Sequence, residues 1–220
     1  NMEQQTVLYL HGFTSSARSR KAQFFREKLQ ASRHVEFRAI DFNPTPTDFE
    51  YMTTTGLINR LRQYVLDHDL RRLSIIGSSY GGLIGLHYAH RFGGVEKMLL
   101  LAPALSWLSG WLSEEQLEQW KRAGAGPVFH DAYGKEILVR YDLHLDGLGY
   151  LKPIPPPAPI VIIHGQNDTT VPIEHSRDYA ASFPDQVQLI EVDADHDLND
   201  HLEFIWEYVQ SFLIRNQVLG

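Results

Sequence analysis

The stretch Arg72-Leu73-Ser74-Ile75-Ile76-Gly77-Ser78-Ser79-Tyr80-Gly81 joins two different hydrophobic patterns. Its first half is short, aliphatic and strand-like. Beyond it Leu83, Ile84, Leu86, His87 and Ala89 recur at near-helical spacing. The G-x-S-x-G frame between them predicts a sharp strand-to-helix turn that pushes a serine hydroxyl out at the end of a sheet. Side chains at the flanking positions of so tight a turn would meet neighbouring backbone, so Gly77 and Gly81 suit it. The frame selects Ser79, because Ser78 has no glycine two residues before it. A strained backbone is expected at that serine.

A serine hydroxyl is a weak nucleophile near neutral pH and needs a base, itself oriented by an acid. Downstream, Pro159-Ile160-Val161-Ile162-Ile163-His164-Gly165 reads as a buried parallel strand, apolar on both faces. The turn after it delivers Asp168, and Val171-Pro172 is expected to open the next helix. Val187 to Val192 is a further strand, followed by Asp193-Ala194-Asp195-His196-Asp197 and a final helix expected from about Asn199 to Arg215. Ser79, Asp168 and His196 thus each lie just past the carboxyl end of a strand. Parallel strands present those ends on one side of a sheet, where distant residues converge. An earlier strand, Val7 to Leu10, runs into His11-Gly12-Phe13-Thr14 at the same edge.

These motifs resemble the α/β-hydrolase superfamily, in particular the small cytosolic serine esterases and thioesterases of bacteria. The resemblance is carried by His11-Gly12-Phe13-Thr14-Ser15-Ser16, Gly77 to Gly81, His164-Gly165-x-x-Asp168-x-x-Val171-Pro172 and Asp195-His196, and spans about Thr6 to Leu213. It implies the chain order serine, acid, histidine, hence Ser79 as nucleophile, Asp168 as acid and His196 as base. It also implies an oxyanion hole made by the backbone N–H groups of Phe13 and Tyr80, and no cofactor. The implied activity is hydrolysis of carboxylic esters or thioesters. C–C bond hydrolysis, a small peptidase, or a non-catalytic ligand-binding protein on the same fold are the alternatives.

At 220 residues the chain fits one domain, 1–220, with a substantial core. A net charge of −7 argues against nucleic acid as a partner, since phosphate binding needs a basic stripe. Arg18-Ser19-Arg20-Lys21 is the densest basic group and reads as a solvated loop or helix start. The absence of cysteine excludes disulfides, thiolate zinc sites and a cysteine nucleophile. With no signal-like segment and no apolar run of spanning length, a soluble cytoplasmic protein is the expectation.

Strand and helix signals alternate, predicting an α/β fold: a mostly parallel sheet of about six strands with helices on both faces. One segment, about 106–157, breaks the alternation and is expected to be a small lid insertion. Ser113 and Gln116 form a capping box there. Trp107 and Trp111, four apart, are the candidate pocket residues. Among the remaining histidines, His11 and His164 are assigned to packing or loop orientation, His130 and His144 to the surface of the lid, and His201 to the last helix. The carboxylates around His196 lack the ligand spacing of a metal site, so no metal is expected.

Overall fold

The computed structural model describes residues 4–106 and 108–214. In chain order the elements are β1 (Gln5–Leu10), α1 (Arg20–Leu29), β2 (Val35–Ile40), α2 (Pro46–Glu50), α3 (Thr54–Asp67), β3 (Leu73–Ser78), α4 (Tyr80–Phe92) and β4 (Val95–Leu101). They continue with α5 (Glu114–Ala123), β5 (Ala125–His130), β6 (Lys135–Arg140), α6 (Asp142–Gly147), β7 (Ile160–Gly165), α7 (Glu174–Ser182), β8 (Val187–Val192) and α8 (Leu202–Tyr208). Six strands form one parallel sheet in the order β2-β1-β3-β4-β7-β8. The fold is the expected α/β sheet with helices on both faces.

The aliphatic strand runs follow from burial of both faces. Side chains alternate across a strand. Leu8, Leu10, Ile75, Met98, Leu100 and Ile162 therefore enter one core with α3 and α4. Val7, Tyr9, Ile76, Leu99, Val161 and Ile163 enter the other with α1 and α8. Register places Ile40, Leu10, Gly77, Leu100, Ile162 and Leu189 in one row across the sheet. The loops that leave just beyond this row carry Phe13, Ser79, Asp168 and His196.

The final helix departs from expectation. A 3-10 turn over Asn199–His201 precedes α8, and Val209–Leu213 is a π-helical turn. The N–H of Ile214 reaches back to the Val209 carbonyl at 3.0 Å, while the Phe212 and Leu213 carbonyls accept from Lys97 and Gln5. Those side chains satisfy carbonyls that a regular helix end leaves open. Val171-Pro172 likewise stands just before α7, which begins at Glu174.

The segment between β4 and β7 holds more regular structure than the sequence suggested. The Ser113 capping box is present at α5. An antiparallel hairpin, β5–β6, follows it and was not anticipated. Its alternation is real, with Ile137 and Val139 buried and Leu138 44% exposed. Gly134, at φ 66°, closes the turn. The hairpin is anchored by an Arg140–Glu50 ion pair to the end of α2. Asp146 accepts from the N–H and hydroxyl of Thr55 in the first turn of α3, where the helix dipole favours a carboxylate. Among the described residues no helix is long and apolar enough to cross a membrane.

Candidate active site

Ser79 sits at φ 53°, ψ −116°, a conformation costly for a residue with a side chain. The neighbours hold it there. Its N–H bonds the Leu101 carbonyl at 2.9 Å, and its carbonyl accepts from Gly82 and Ala104 at 2.9 and 3.1 Å. A side chain at Gly77 would stand 2.8 Å from the Gly82 Cα, and one at Gly81 would run into the Leu10 and His11 carbonyls. The two glycines thus let the start of α4 press on β3 and on the exit of β1.

The structure brings Ser79, His196 and Asp168 into one hydrogen-bonded line. His196 Nε2 stands 3.0 Å from Ser79 Oγ, and Nδ1 stands 2.7 Å from Asp168 Oδ2. An ionised carboxylate accepts and cannot donate, so Nδ1 carries the proton and Nε2 faces the serine hydroxyl as acceptor. Asp168 Oδ1 accepts from the N–H groups of Thr170 and Val171 at 2.9 and 2.8 Å. Burial pushes the Asp168 carboxyl up, but hydrogen bonds from His164 and His196 and the Val171 N–H outweigh it. The carboxyl is held well below the usual carboxylate range.

His164 was assigned to loop orientation, and its contacts are of that kind. Nε2 donates to the Val171 carbonyl at 2.7 Å and lies 3.2 Å from Asp168 Oδ2, while Nδ1 meets Ser176 Oγ at 2.8 Å. Gly165 does something the sequence reading missed: a side chain there would strike the Ala194 and Asp195 carbonyls. This glycine allows the acid loop to lie directly on the histidine loop. The signal was present in the His164-Gly165 pair, but its partner is about thirty residues away and invisible locally.

The loop after β1 lies beside the serine turn. A Cβ on Gly12 would stand 3.7 Å from the Ser79 Cβ, and the Phe13 ring meets the Tyr80 ring edge-on at 5.8 Å. His11 Nδ1 donates to the Gly12 carbonyl at 2.7 Å, and Nε2 accepts from the Phe42 N–H at 3.0 Å. In a planar trans peptide the N–H points opposite the carbonyl, so the Phe13 N–H faces away from the Gly12 oxygen. The Tyr80 side chain is buried with its hydroxyl 2.6 Å from Thr54 Oγ1, and burial pushes that phenol up.

Ser79, His196 and Phe13 open onto a cavity of about 1110 Å³. Part of its wall is the hairpin turn, His130 to Tyr133. Thr14 Oγ1 donates to Asp131 at 2.5 Å, the Ala132 N–H bonds the Thr14 carbonyl at 3.1 Å, and the Tyr133 hydroxyl donates to the Asn43 carbonyl at 2.7 Å. Trp111 also lines the cavity and is 46% exposed, whereas Trp107 lies outside the described residues. Of Arg18, Arg20 and Lys21, read as a solvated loop or helix start, Arg20 and Lys21 begin α1 behind the Ser19 cap and Arg18 precedes it, and all three also line this cavity.

Two histidine expectations are corrected. His130 and His144 are buried, at 1% and 8% exposure, rather than on the surface. The His130 ring packs edge-on against Phe49 at 4.6 Å, and its Nδ1 accepts from the Tyr133 N–H. His144 lies among Trp120 and Tyr141. Burial lowers the pKa of both, favouring the neutral rings that aromatic surroundings accept. Among the described residues no three His, Cys, Asp or Glu side chains gather as a metal site would.

A family model matches residues 6–213. The chain belongs to the uncharacterised protein family UPF0227. Solved structures similar to this member of UPF0227 include a putative hydrolase from Agrobacterium vitis, with TM-score 0.82 and 20% identity over 96% of this chain and 88% of that one. Mouse alpha/beta hydrolase domain-containing protein 10 matches with TM-score 0.74 and 19% identity over 93% and 89%. Est1E from Butyrivibrio proteoclasticus, solved with ferulic acid bound, matches with TM-score 0.76 and 18% identity over 96% and 88%. The UPF0227 chain has the α/β-hydrolase fold.

Proposed function

We propose that this chain is a serine hydrolase that cleaves carboxylic esters or thioesters through an acyl-enzyme. The reading is carried by the line Ser79–His196–Asp168, with contacts of 3.0 and 2.7 Å and a proton on the histidine nitrogen that faces the acid. His196 Nε2 takes the hydroxyl proton as Ser79 Oγ attacks the carbonyl carbon. The carbonyl electron pair moves onto its oxygen, where the N–H groups of Phe13 and Tyr80 meet the charge. Each such donor contributes about 3–4 kcal/mol to lowering the barrier. The tetrahedral adduct then expels the alcohol or thiol, which leaves with the proton held by His196. Water repeats the sequence on the acyl-serine and releases the acid. Asp168, kept ionised, stabilises the imidazolium in both halves.

A carboxylic acid, the class to which the ferulic acid in Est1E belongs, is the product such a reaction releases. In this reading 106–157 is a lid on a single domain of residues 1–220, and Trp111 helps enclose the apolar part of the substrate. The test is labelling with a fluorophosphonate probe followed by mass spectrometry. The expected adduct is on Ser79, absent in Ser79→Ala together with ester turnover. No adduct, or one on Ser78 with turnover surviving in Ser79→Ala, removes the proposal.

A further inference from the structure

Six charged side chains line the cavity beside Ser79, three cations and three carboxylates, and the two sets are engaged differently. The carboxylates are occupied by the wall. Asp131 accepts from Thr14 at 2.5 Å, and Asp197 accepts from the Asn199 N–H at 2.9 Å. Asp41 accepts from the Asn43 N–H at 3.1 Å. Among the described residues, none of Arg18, Arg20 and Lys21 forms an ion pair within 4.0 Å, and the two guanidinium groups make no hydrogen bond.

Lys21 sharpens the contrast. Its ammonium has three donors, and among the described residues one acceptor meets it, Asn199 Oδ1 at 3.3 Å. Burial lowers its pKa against the pull of Asp197, so the cation is desolvated without a close counter-charge. Lys21 is half-buried, and a charge so placed gains from an anion that compensates it. The three cations flank Ser19, the N-cap of α1, within four residues of chain, and all three line the cavity. The N-terminal end of α1 adds its own partial positive charge there. The charges lining the cavity balance, three against three, on a chain whose net charge is −7. A cavity of about 1110 Å³ has room for an ester at Ser79 and a second group at this end.

We propose that the substrate carries an anionic oxyacid group, a carboxylate or a phosphate, which Arg18, Arg20 and Lys21 hold while Ser79 attacks its ester or thioester. This deepens the hydrolase reading and rests on it. Guanidinium pairs match the two oxygens of either anion, and Lys21 supplies a point charge between them. The carboxylates of the wall keep their charge, Asp197 drawing on Lys21 and Asp41 on Arg18, but none of them closes an ion pair with the three cations within 4.0 Å.

The test compares matched substrates in the intact protein. The mono-p-nitrophenyl ester of glutaric acid is set against neutral p-nitrophenyl butyrate, and butyryl-coenzyme A against neutral S-butyryl-N-acetylcysteamine. The wild type is expected to favour the anionic member of at least one pair by about tenfold or more in kcat/KM, the loss associated with one charge-assisted hydrogen bond. Which pair shows the preference separates a carboxylate from a phosphate. The preference should disappear in Arg18→Gln/Arg20→Gln, shrink in Lys21→Gln, partly return in Arg18→Lys/Arg20→Lys, and weaken with rising ionic strength. Arg18 and Arg20 are exposed, so that double variant tests the idea even if Lys21→Gln fails to fold. Equal turnover within both pairs, or a preference that survives the double variant, overturns the anion proposal and leaves the hydrolase standing. Failure of Ser79 to label, with no ester or thioester hydrolysed, overturns the hydrolase and this inference together.

Discussion

The acid and histidine loops and the hairpin turn are both clamped beside the cavity, by different means. In the two loops backbone meets backbone. The Gln166 N–H bonds the Val192 carbonyl at 2.8 Å, the Asn167 N–H bonds the Ala194 carbonyl at 3.1 Å, and Gly165 leaves no room for a side chain. In the hairpin turn two of the ties are side-chain hydroxyls, those of Thr14 and Tyr133. The backbone ties hold the Ser79–His196–Asp168 line to one geometry, whereas the hydroxyl ties of the hairpin turn, beside one backbone bond from the Ala132 N–H to the Thr14 carbonyl, can be released one at a time.

The largest break is expected at Asp168. Asp168→Asn keeps the shape but cannot hold the Nδ1 proton as a carboxylate does, and kcat for an ester should fall by about 10³–10⁴. Its effect on stability has a sign. The folded carboxyl is held below its ordinary value of 3.8, so its stabilising contribution is complete above that pH and is lost as pH falls below it towards the folded value. Acid titration of the melting temperature should therefore show a gap between wild type and variant that is constant near neutrality and closes below about pH 4. A gap that widens on acidification would reverse the assignment.

Gly165→Ala comes next. Its methyl would strike the Ala194 and Asp195 carbonyls, so the two loops must part. Overpacking of this kind costs about 1–3 kcal/mol, and kcat should fall with the melting temperature because His196 moves with its loop. Unchanged kinetics would show that the loops give way easily.

On the hairpin side, Tyr133→Phe removes one tie to the Asn43 carbonyl and should cost about 1 kcal/mol. Here KM should change more than kcat, since the wall moves and the catalytic line does not. A larger change in kcat would mean that the hairpin orders the catalytic residues as well. The smallest effect is expected at Trp111, which is 46% exposed and so contributes little to stability. Trp111→Ala should lower kcat/KM progressively more as the acyl chain lengthens, by up to about 0.8 kcal/mol per methylene lost from contact. A chain-length profile identical to the wild type would remove it from the substrate wall.

The same division runs through what the sequence could disclose. Aliphatic runs buried on both faces, glycine-framed turns and the residues just past each strand are local signals, so the parallel sheet and the candidates Ser79, Asp168 and His196 were legible along the chain. Loop contacts depend on partners far away in sequence. Nothing near Gly165 announces the Ala194 carbonyl, and nothing near His130 announces the ring of Phe49. The β5–β6 alternation was written in Ile137-Leu138-Val139, but a six-residue strand carrying a proline partner is too short a pattern to stand alone. Arg18, Arg20 and Lys21 look like any hydrophilic helix start. Where a helix start ends up is set by how α1 packs its Ala22, Phe25 and Leu29 onto the sheet, and tertiary structure alone placed those side chains in the lining of the cavity that Ser79 also lines.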